Sequence, residues 1–198
     1  MYLIRRSPST KLDSFAKGFK QEHGVDYDEI FSSVVRMNTL RMLVGFVATE
    51  DLELEQLDVK TTFLYGDLEE DIYMSQPASF MVMGEESHLV CQLKKSLYDL
   101  KQAPRMWYQK FDYYIWQLGY HRSDSDPRMY SRQLTDESQI HLILYVNNML
   151  IVGRNQAEIG KLKWSIHDKF SMKELRQARH ILGIWIEQNR TTKTLWLS

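Results

Sequence analysis

The amino-acid sequence predicts an α+β fold in which helices pack on an antiparallel sheet. Three observations lead to that class: one apolar, strand-like segment near residue 58, several amphipathic helical segments, and pairs of short apolar runs separated by polar turns. From residue 54 onward we expect the order strand, helix, hairpin, helix, hairpin, with no repeat and no linker. A chain of 198 residues is long enough to form one large domain or two small subdomains around a sizeable core.

Two helices are predicted from the spacing of their apolar residues. The segment "NTLRMLVGFVATE" has apolar side chains every three or four residues, and Asn38 or Thr39 is expected to cap it. The segment "APRMWYQKFDYYIWQLGY" is a second amphipathic helix, because Pro104 suits a first helical turn and Gly119 suits a helix end.

A hairpin, a third helix and a second hairpin follow. The runs "IHLILYV" and "MLIVG" are rich in β-branched and aliphatic residues and meet at Asn147 and Asn148. Asn155 together with Glu158 predicts the N-terminal cap of the next helix. The C-terminal stretch predicts two strands around a polar turn at residues 189–192.

The segment from Glu50 to Asp71 is strongly acidic, with Lys60 as its only cation. A run of this kind is typical of a solvated surface, and we expect one here. Asp58 is the exception, because it lies inside "QLDVKTTFLYG", an apolar and β-prone segment that is expected to be a strand.

Composition and charge exclude several classes of protein. The 43% hydrophobic, 26% charged and 12% aromatic content is that of a globular chain. The net charge of −1 gives no global attraction to nucleic acid, so any basic surface must be local. Cys91 is the only cysteine, which excludes an internal disulfide. The start lacks a signal-peptide core and no segment approaches the ~20 apolar residues of a membrane span, so we expect a soluble, intracellular protein.

The two asparagines at the hairpin join have two interpretations. Asn tolerates left-handed backbone, so the pair suits a tight turn on structural grounds alone. Alternatively, the pair stands where two metal-binding carboxylates belong, because a strand carboxylate such as Asp58 and a polar hairpin tip match the layout of two-metal phosphoryl transfer. As a pattern this is weak evidence, and the surrounding sequence has to supply the specificity.

Five sequence blocks, in order and with compatible spacing, resemble a known family. They are "AKGFKQEHGVDYDEIFSSVVRMNTLRMLVGFVA", "LEQLDVKTTFLYGDLEEDIYMSQP", "CQLKKSLYDLKQAPRMWYQKF", "LILYVNN" and "FSMKEL…ARHILGI". From Lys11 to the C-terminus the chain resembles the reverse transcriptase domain of copia-type LTR retrotransposons, such as those abundant in plant genomes. The resemblance implies an RNA-directed DNA polymerase, a nucleotidyltransferase that uses Mg²⁺, an RNA template, a DNA primer and dNTPs.

The resemblance also implies a fingers–palm polymerase fold and a domain organisation. Residues 1–198 would form a single reverse transcriptase domain fragment, with residues 1–50 approximately in the fingers. Residues 51–198 would be mainly palm, with a fingers insertion near 67–105. The thumb and the acidic ribonuclease H domain of the polyprotein are expected to be absent, and the cytoplasm or a virus-like particle is the expected location.

The resemblance places the family's metal site on named residues of this chain. The metal-binding aspartate falls on Asp58, and Val59 would add a backbone carbonyl. The hairpin whose family form is Tyr-Val-Asp-Asp falls on residues 145–148, so Asn147 and Asn148 occupy catalytic aspartate positions.

Further positions would bind the nucleotide and the nucleic acid. Phe63 would exclude a ribose 2′-hydroxyl, and Tyr98 and Lys101 would lie beside the incoming nucleotide. Nucleic-acid contacts are implied for Lys94, Lys95, Gln102 and Arg105. Phe63 is equally consistent with ordinary core, and Lys101 and Arg105 are also consistent with a solvated surface.

Asparagine at both hairpin positions predicts a loss of catalysis. An amide oxygen is a neutral dipole and the amide nitrogen is a donor, so the amide does not replace a carboxylate. The site falls from three formal negative charges to one, which weakens the electrostatic term that dominates phosphoryl transfer. By analogy with other active-site substitutions we expect a rate at least ~10⁴-fold lower. We therefore interpret the chain as a degenerate, inactive copy that keeps its hairpin.

Other departures from the family pattern support that hypothesis. Asp99 stands where the family usually has Gly, and its carboxylate would repel a phosphate. Asp13 replaces a usually basic residue. Ser33 stands for a usual Pro, and Ser79 and Arg176 each stand for a usual Gly.

Two alternative functions stay open at this stage. The segment "KKSLYDLKQAPRMWYQK" interleaves cations with aromatic rings, the combination that non-catalytic binding of RNA or an RNA–DNA hybrid uses. Against this, Trp107 and Tyr108 are expected in a helix core. The other alternative is a non-functional expressed remnant, in which apolar residues near "LGIWIEQ" and "TLWLS" stay exposed.

Overall fold

The computed structural model describes residues 16–76, 90–178, 180–181, 183–192 and 194–197, and for residues 174–177, 180 and 197 it describes the backbone alone. Asp13, Ser79 and the side chain of Arg176, which the sequence singled out, lie outside the described residues.

The helices and strands in chain order are α1 (Met37–Glu50), β1 (Glu53–Val59), β2 (Tyr73–Ser75), β3 (Val90–Gln92), α2 (Ala103–Gln117), β4 (His121–Arg122), β5 (Met129–Gln133), β6 (Gln139–Tyr145), β7 (Asn148–Gly153), α3 (Gln156–Lys169), β8 (Met172–Gln177), β9 (His180–Ile181), β10 (Ile184–Asn189) and β11 (Thr194–Leu197).

The chain divides into two compact units. The first comprises Met1–Ser32 with Phe63–Lys110, and the second comprises Ser33–Thr62 with Phe111–Ser198. Helix α1 belongs to the second unit, whereas the sequence-based division assigned residues 1–50 to the fingers. The division into fingers and palm stays a prediction.

Among its described residues, the first unit has few regular elements and a small core of its own. Strands β2 and β3 pair antiparallel, with Tyr73 opposite Gln92. Helix α2 contributes residues 103–110. The buried core residues are Ala16, Ile72, Leu100 and Ala103, against which Phe63, Leu68, Leu93 and Leu97 pack in partly buried positions.

The second unit is built on a six-stranded antiparallel sheet in the order β4-β5-β6-β7-β1-β8. Strand β1 lies between β7 and β8, and its register places Asp58 opposite Asn148 on one side and opposite Lys173 on the other. Strands β9, β10 and β11 form a separate three-stranded antiparallel sheet.

Strands β6 and β7 are buried over nearly their whole length, which indicates that both faces of the sheet are covered. On one face, Ile143 shares a cluster with the buried side chains of α1 and with Met129. On the opposite face, the ring of Phe111 contacts Tyr130 and Phe170 at centroid distances of 6.1 Å. The strand that carries Asp58 is therefore part of a packed sheet.

The predicted α+β class, the three helices and both hairpins are confirmed. The predicted cap of α1 is wrong, because the helix begins at Met37 after Arg36, which makes no side-chain capping bond. Asn155 does cap α3, since its Oδ1 accepts from the amides of Ala157 and Glu158 at 3.1 and 3.2 Å. The side chain of Glu158, however, pairs with Arg132 at 3.0 Å instead of completing a capping box.

Several strands were missed by the sequence analysis. Strands β2 and β3 have three residues each, and β4 has two, which is too short for a period to appear. Strand β8 has the sequence "MKELRQ", in which charged residues interrupt the alternation of apolar and polar side chains. It is therefore not recognisable from the sequence as a half-buried strand. Within the described residues, no helix is both long and apolar enough to cross a membrane.

The expected solvated acidic surface is wrong for Glu55. Its side chain is 11% exposed, and it pairs with Lys163 at 2.6 Å and also accepts a hydrogen bond from Gln156. Other members of the acidic segment pair with cations that lie far along the chain, as Glu53 does with Arg190 at 2.7 Å. A buried carboxylate needs such a partner, and the partner was not visible from the acidic segment alone.

Candidate functional site

The hairpin between β6 and β7 turns on two residues. Tyr145 and Asn148 are the last residues that pair, so Val146 and Asn147 form the turn. Val146 has φ +54°, a left-handed conformation that a β-branched residue rarely adopts. Tight two-residue hairpin turns require positive φ at their first central position, which accounts for it. The sequence placed both asparagines at the tip, but Asn148 is the first residue of β7.

A chain of side-chain hydrogen bonds joins the hairpin to β1, and we call it the carboxylate–amide chain. Asn147 Nδ2 donates to Asp58 Oδ1 at 2.7 Å. Asn148 Nδ2 donates to Asn147 Oδ1 at 3.4 Å, and Gln56 Nε2 donates to Asn148 Oδ1 at 3.2 Å. The backbone adds a further link, because the Val59 amide donates to the Asn147 carbonyl at 2.9 Å. Asp58, Asn147 and Asn148 thus lie together.

Gln56 is a member of this chain that the sequence analysis missed. It lies two residues before Asp58 on the same strand, and successive side chains of a strand alternate between faces, so the two share one face. Gln56 is buried, at 5% exposure, in a strand whose apolar residues are Leu54, Leu57 and Val59. A polar residue two positions before Asp58, and therefore on the same face of the strand, was the signal available in the sequence.

The donor set of the carboxylate–amide chain does not fit a pair of Mg²⁺ ions. Mg²⁺ prefers anionic oxygen in near-octahedral geometry, and here Asp58 is the one carboxylate. Its Oδ1 faces an amide donor, and an amide nitrogen does not ligate a cation. The carbonyl of Val59, the second ligand expected from the family, already accepts from Thr62 Oγ1 at 3.0 Å. Across the described positions there is no group of three or more His, Cys, Asp or Glu side chains that could hold a metal.

Phe63 and Tyr98, expected beside the nucleotide, lie together in the first unit. Their rings meet edge to face at a centroid distance of 5.2 Å. Phe63 is partly buried and packs against the small core of that unit. It therefore has the contacts of a core residue while keeping some exposure, and both interpretations of this side chain stay open.

Lys101 and Gln102 are engaged within the first unit. Lys101 Nζ donates to the Gln21 carbonyl and to the Tyr27 hydroxyl, both at 3.1 Å, and lies 4.8 Å from the centre of the Tyr27 ring. Gln102 is fully buried, and its amide donates to the Asp26 carbonyl at 3.0 Å. The nucleic-acid contact predicted for Gln102 would require this amide to leave its present partners.

The remaining predicted contact residues are cations, and most of them are ion-paired. Lys95 pairs with Asp67, and Arg105 pairs with Glu29 at 3.0 Å and with Glu69 at 3.6 Å. Lys94 is exposed and forms no ion pair with any residue that the structure describes.

Asp99, where the family usually has Gly, has φ +71°. This is the left-handed region that favours glycine, so the backbone keeps a conformation that its side chain opposes. Gly18 approaches the same segment closely, because a Cβ on Gly18 would lie 1.6 Å from the Asp99 carbonyl oxygen. Ser33, where the family usually has Pro, accepts a hydrogen bond from Arg128 Nε at 3.0 Å.

Asp126 is a buried acidic residue that the sequence analysis did not identify. Its Oδ2 accepts from the Arg36 amide at 2.9 Å and its Oδ1 accepts from the Arg128 amide at 3.0 Å. Burial alone would raise the pKa of Asp126, but hydrogen bonds from the Arg36 amide, Thr39 and the Arg128 amide hold it below its ordinary value. Asp126 thereby supplies the N-terminal cap of α1 that the helix itself lacks.

Comparison with known proteins gives the family. The reverse transcriptase (RNA-dependent DNA polymerase) family model matches residues 7–198. The chain is 52% identical over 182 residues to the retrovirus-related Pol polyprotein from transposon TNT 1-94 of Nicotiana tabacum, an alignment that covers 92% of this chain and 14% of that polyprotein. It is 36% identical over 183 residues to the Pol polyprotein from transposon RE1 of Arabidopsis thaliana, covering 92% of this chain and 12% of that one.

The chain thus spans about one seventh of the length of these curated relatives, as the 14% coverage shows. No solved structure matches it significantly. The predicted resemblance is confirmed by the family match and by both relatives. The chain belongs to the reverse transcriptase (RNA-dependent DNA polymerase) family, as the domain found in the Pol polyproteins of plant copia-type transposons.

Proposed function

We propose that this chain is a fingers–palm polymerase domain whose Mg²⁺-dependent nucleotidyl transfer is lost. The observation that carries the proposal is the 2.7 Å hydrogen bond from Asn147 Nδ2 to Asp58 Oδ1. The amide donor occupies one of the two oxygens of Asp58 that a bound cation would otherwise use. The motif that the family has as Tyr-Val-Asp-Asp is Tyr-Val-Asn-Asn here.

Charge supports the same proposal. Phosphoryl transfer depends on positioning and on electrostatic stabilisation of a highly charged transition state, with little other chemistry for the protein to perform. A site with one carboxylate in place of three attracts metal cations far less strongly. Lys173, opposite Asp58 in the register of β1 and β8, adds a positive charge to the same region of the sheet.

Primer extension on an RNA template tests the proposal. The unmodified chain is compared with the double variant Asn147→Asp/Asn148→Asp in Mg²⁺ and in Mn²⁺. We expect extension by the double variant and a rate at least ~10⁴-fold lower for the unmodified chain. The matched control is the triple variant that also carries Asp58→Asn, which keeps the two new aspartates but should be inactive. Robust metal-dependent synthesis by the unmodified chain would contradict the proposal.

A second candidate function is non-catalytic binding of RNA or of an RNA–DNA hybrid. It is favoured by Lys101 of the first unit, whose Nζ lies 4.8 Å from the centre of the Tyr27 ring, because cations beside aromatic rings are used to bind single strands. Binding should weaken as salt is added, because each phosphate contact releases counterions. Lys94→Glu should weaken it further, whereas Arg41→Glu, an equal charge change on an exposed position of the second unit, should not. Affinity that does not depend on salt would count against this function.

A further inference from the structure

Two lysines from separate elements converge on the carboxylate of Asp67. Lys95 Nζ contacts Oδ1 and Lys110 Nζ contacts Oδ2, so each oxygen has its own ammonium group. Lys95 follows β3, whereas Lys110 lies on α2, and all three residues belong to the first unit. Hydrogen bonds from Lys110 and then from Lys95 hold the pKa of Asp67 below its ordinary value. Asp67 therefore stays ionised between them.

A third cation, Arg105, pairs with another carboxylate of the same acidic segment. Glu69, two residues after Asp67, lies 3.6 Å from Arg105 of α2, and Glu29 lies 3.0 Å from the same guanidinium. We call Lys95, Arg105 and Lys110 the cation cluster. Each of its members is paired with a carboxylate of the chain itself, so the positive charge of the cluster is cancelled locally.

The two ammonium groups that bind the Asp67 carboxylate could bind a phosphate of a nucleic-acid backbone in the same way. Both the carboxylate and the phosphate are anions that present oxygen acceptors, and lysine binds phosphate as a point charge. These pairs are accessible, since the side chains of Asp67 and Lys95 are 54% and 55% exposed and that of Lys110 is 34% exposed. While Asp67 holds both ammonium groups, neither lysine is available to a phosphate, so these two phosphate contacts are missing when the unmodified chain binds.

We propose that Asp67, assisted by Glu69, is an intramolecular competitor that occupies a phosphate-binding position on the cation cluster and thereby weakens the binding of single-stranded nucleic acid. The inference rests on the second proposed function, nucleic-acid binding, and does not involve the carboxylate–amide chain. It assigns the cluster to the sugar–phosphate backbone of the ligand, without base specificity.

Fluorescence anisotropy with a labelled oligouridylate, over a range of NaCl concentrations, tests the proposal. Asp67→Asn frees two lysines, and we expect affinity about three- to tenfold higher at low salt. The slope of log affinity against log salt should steepen by about 1.4, because each single-strand phosphate contact contributes about 0.7. Glu69→Gln should give a smaller gain of the same kind, because Glu29 still pairs with Arg105.

The matched control is Asp124→Asn, which makes the same change in net charge at an exposed position of the second unit. It should leave the affinity and the salt slope unchanged. An equal gain in both variants, or weaker binding by Asp67→Asn, would overturn the inference while leaving nucleic-acid binding itself intact. If neither the unmodified chain nor Asp67→Asn binds at any salt concentration, both the inference and the binding function fail. Thermal melting of each variant verifies that the fold is retained.

Discussion

At the scale of single residues, two asparagines at the hairpin carry the proposed loss of catalysis. In the carboxylate–amide chain, Asn147 and Asn148 each donate one side-chain hydrogen bond and accept another, so their amides are satisfied without a metal. An aspartate at position 147 would place a second carboxylate where the amide donor now lies, 2.7 Å from Asp58 Oδ1. The two anions would repel each other unless a cation or a proton lay between them.

Asn147→Asp should therefore destabilise the metal-free protein. At pH 7 we expect a loss of about 1–3 kcal/mol in the free energy of unfolding, measured by urea denaturation. Repulsion raises the pKa of one carboxylate of the pair, so this loss should appear as the pH rises above about 4 and should vanish below it. Asn147→Ala is the control, since it removes the hydrogen bond without adding charge. Equal stability of the two variants at pH 7 and at pH 4 would contradict the prediction.

Asp99→Gly should stabilise the protein, because the backbone at this position has φ +71°. Relief of the left-handed strain predicts a gain of about 0.5–1 kcal/mol in the free energy of unfolding. Asp99→Ala is the matched control, since it removes the same charge but keeps a Cβ. Chemical denaturation of both variants separates the two effects, and a gain for alanine as large as that for glycine would show that charge, not backbone conformation, is responsible.

At the scale of elements, helix α1 depends on a cap from elsewhere in the chain. Asp126 precedes β5, and its carboxylate accepts from the Arg36 amide at the start of α1. The cap expected at Asn38 or Thr39 was inferred from local sequence, which holds no information about a carboxylate 90 residues away. The Asn155 cap of α3 was predictable because it is local.

Asp126→Ala should destabilise the second unit by about 1–2 kcal/mol, the range for a lost helix cap. The contribution should also depend on pH. The folded-state pKa of Asp126 is lowered, so its stabilisation is present above the unfolded-state pKa of about 4 and is lost as the pH falls through the folded-state value. Urea denaturation at pH 7 and at pH 3 measures both effects. A difference between variant and unmodified chain that does not shrink on acidification would argue against this role.

At the scale of the whole molecule, the sequence predicted the class of fold and the position of the candidate site. The apolar periods of α1, α2, β6 and β7 were sufficient for the fold class, because each is long and regular, whereas the position of the site came from the family resemblance. Long-range ion pairs were not predictable, since Glu55 with Lys163 and Asp67 with Lys110 join residues whose proximity only the folded chain creates. The same holds for the bond from Asn147 to Asp58, which depends on the register of β1 and β7.

The net charge of −1 also acts at this scale. With so little overall charge, long-range attraction to a polyanion or to metal cations is weak, and local groups determine what binds.

Two large side chains near the C-terminus are exposed: Trp185 is 61% exposed and Trp196 is 68% exposed. This agrees with the apolar exposure expected near the C-terminal segments. Replacing both with serine should reduce self-association in sedimentation velocity without changing the helical circular dichroism signal.

The most direct measurement is an NMR titration with Mn²⁺, in the presence of a dNTP, of the unmodified chain and of Asn147→Asp/Asn148→Asp. Mn²⁺ broadens the amide signals of residues near its binding site, so Asp58 and residue 148 report occupancy of the site without any need for turnover. We predict selective, saturable broadening of these signals in the double variant and none in the unmodified chain at the same metal concentration. Selective broadening at Asp58 in the unmodified chain, saturating at the same concentration, would contradict the account.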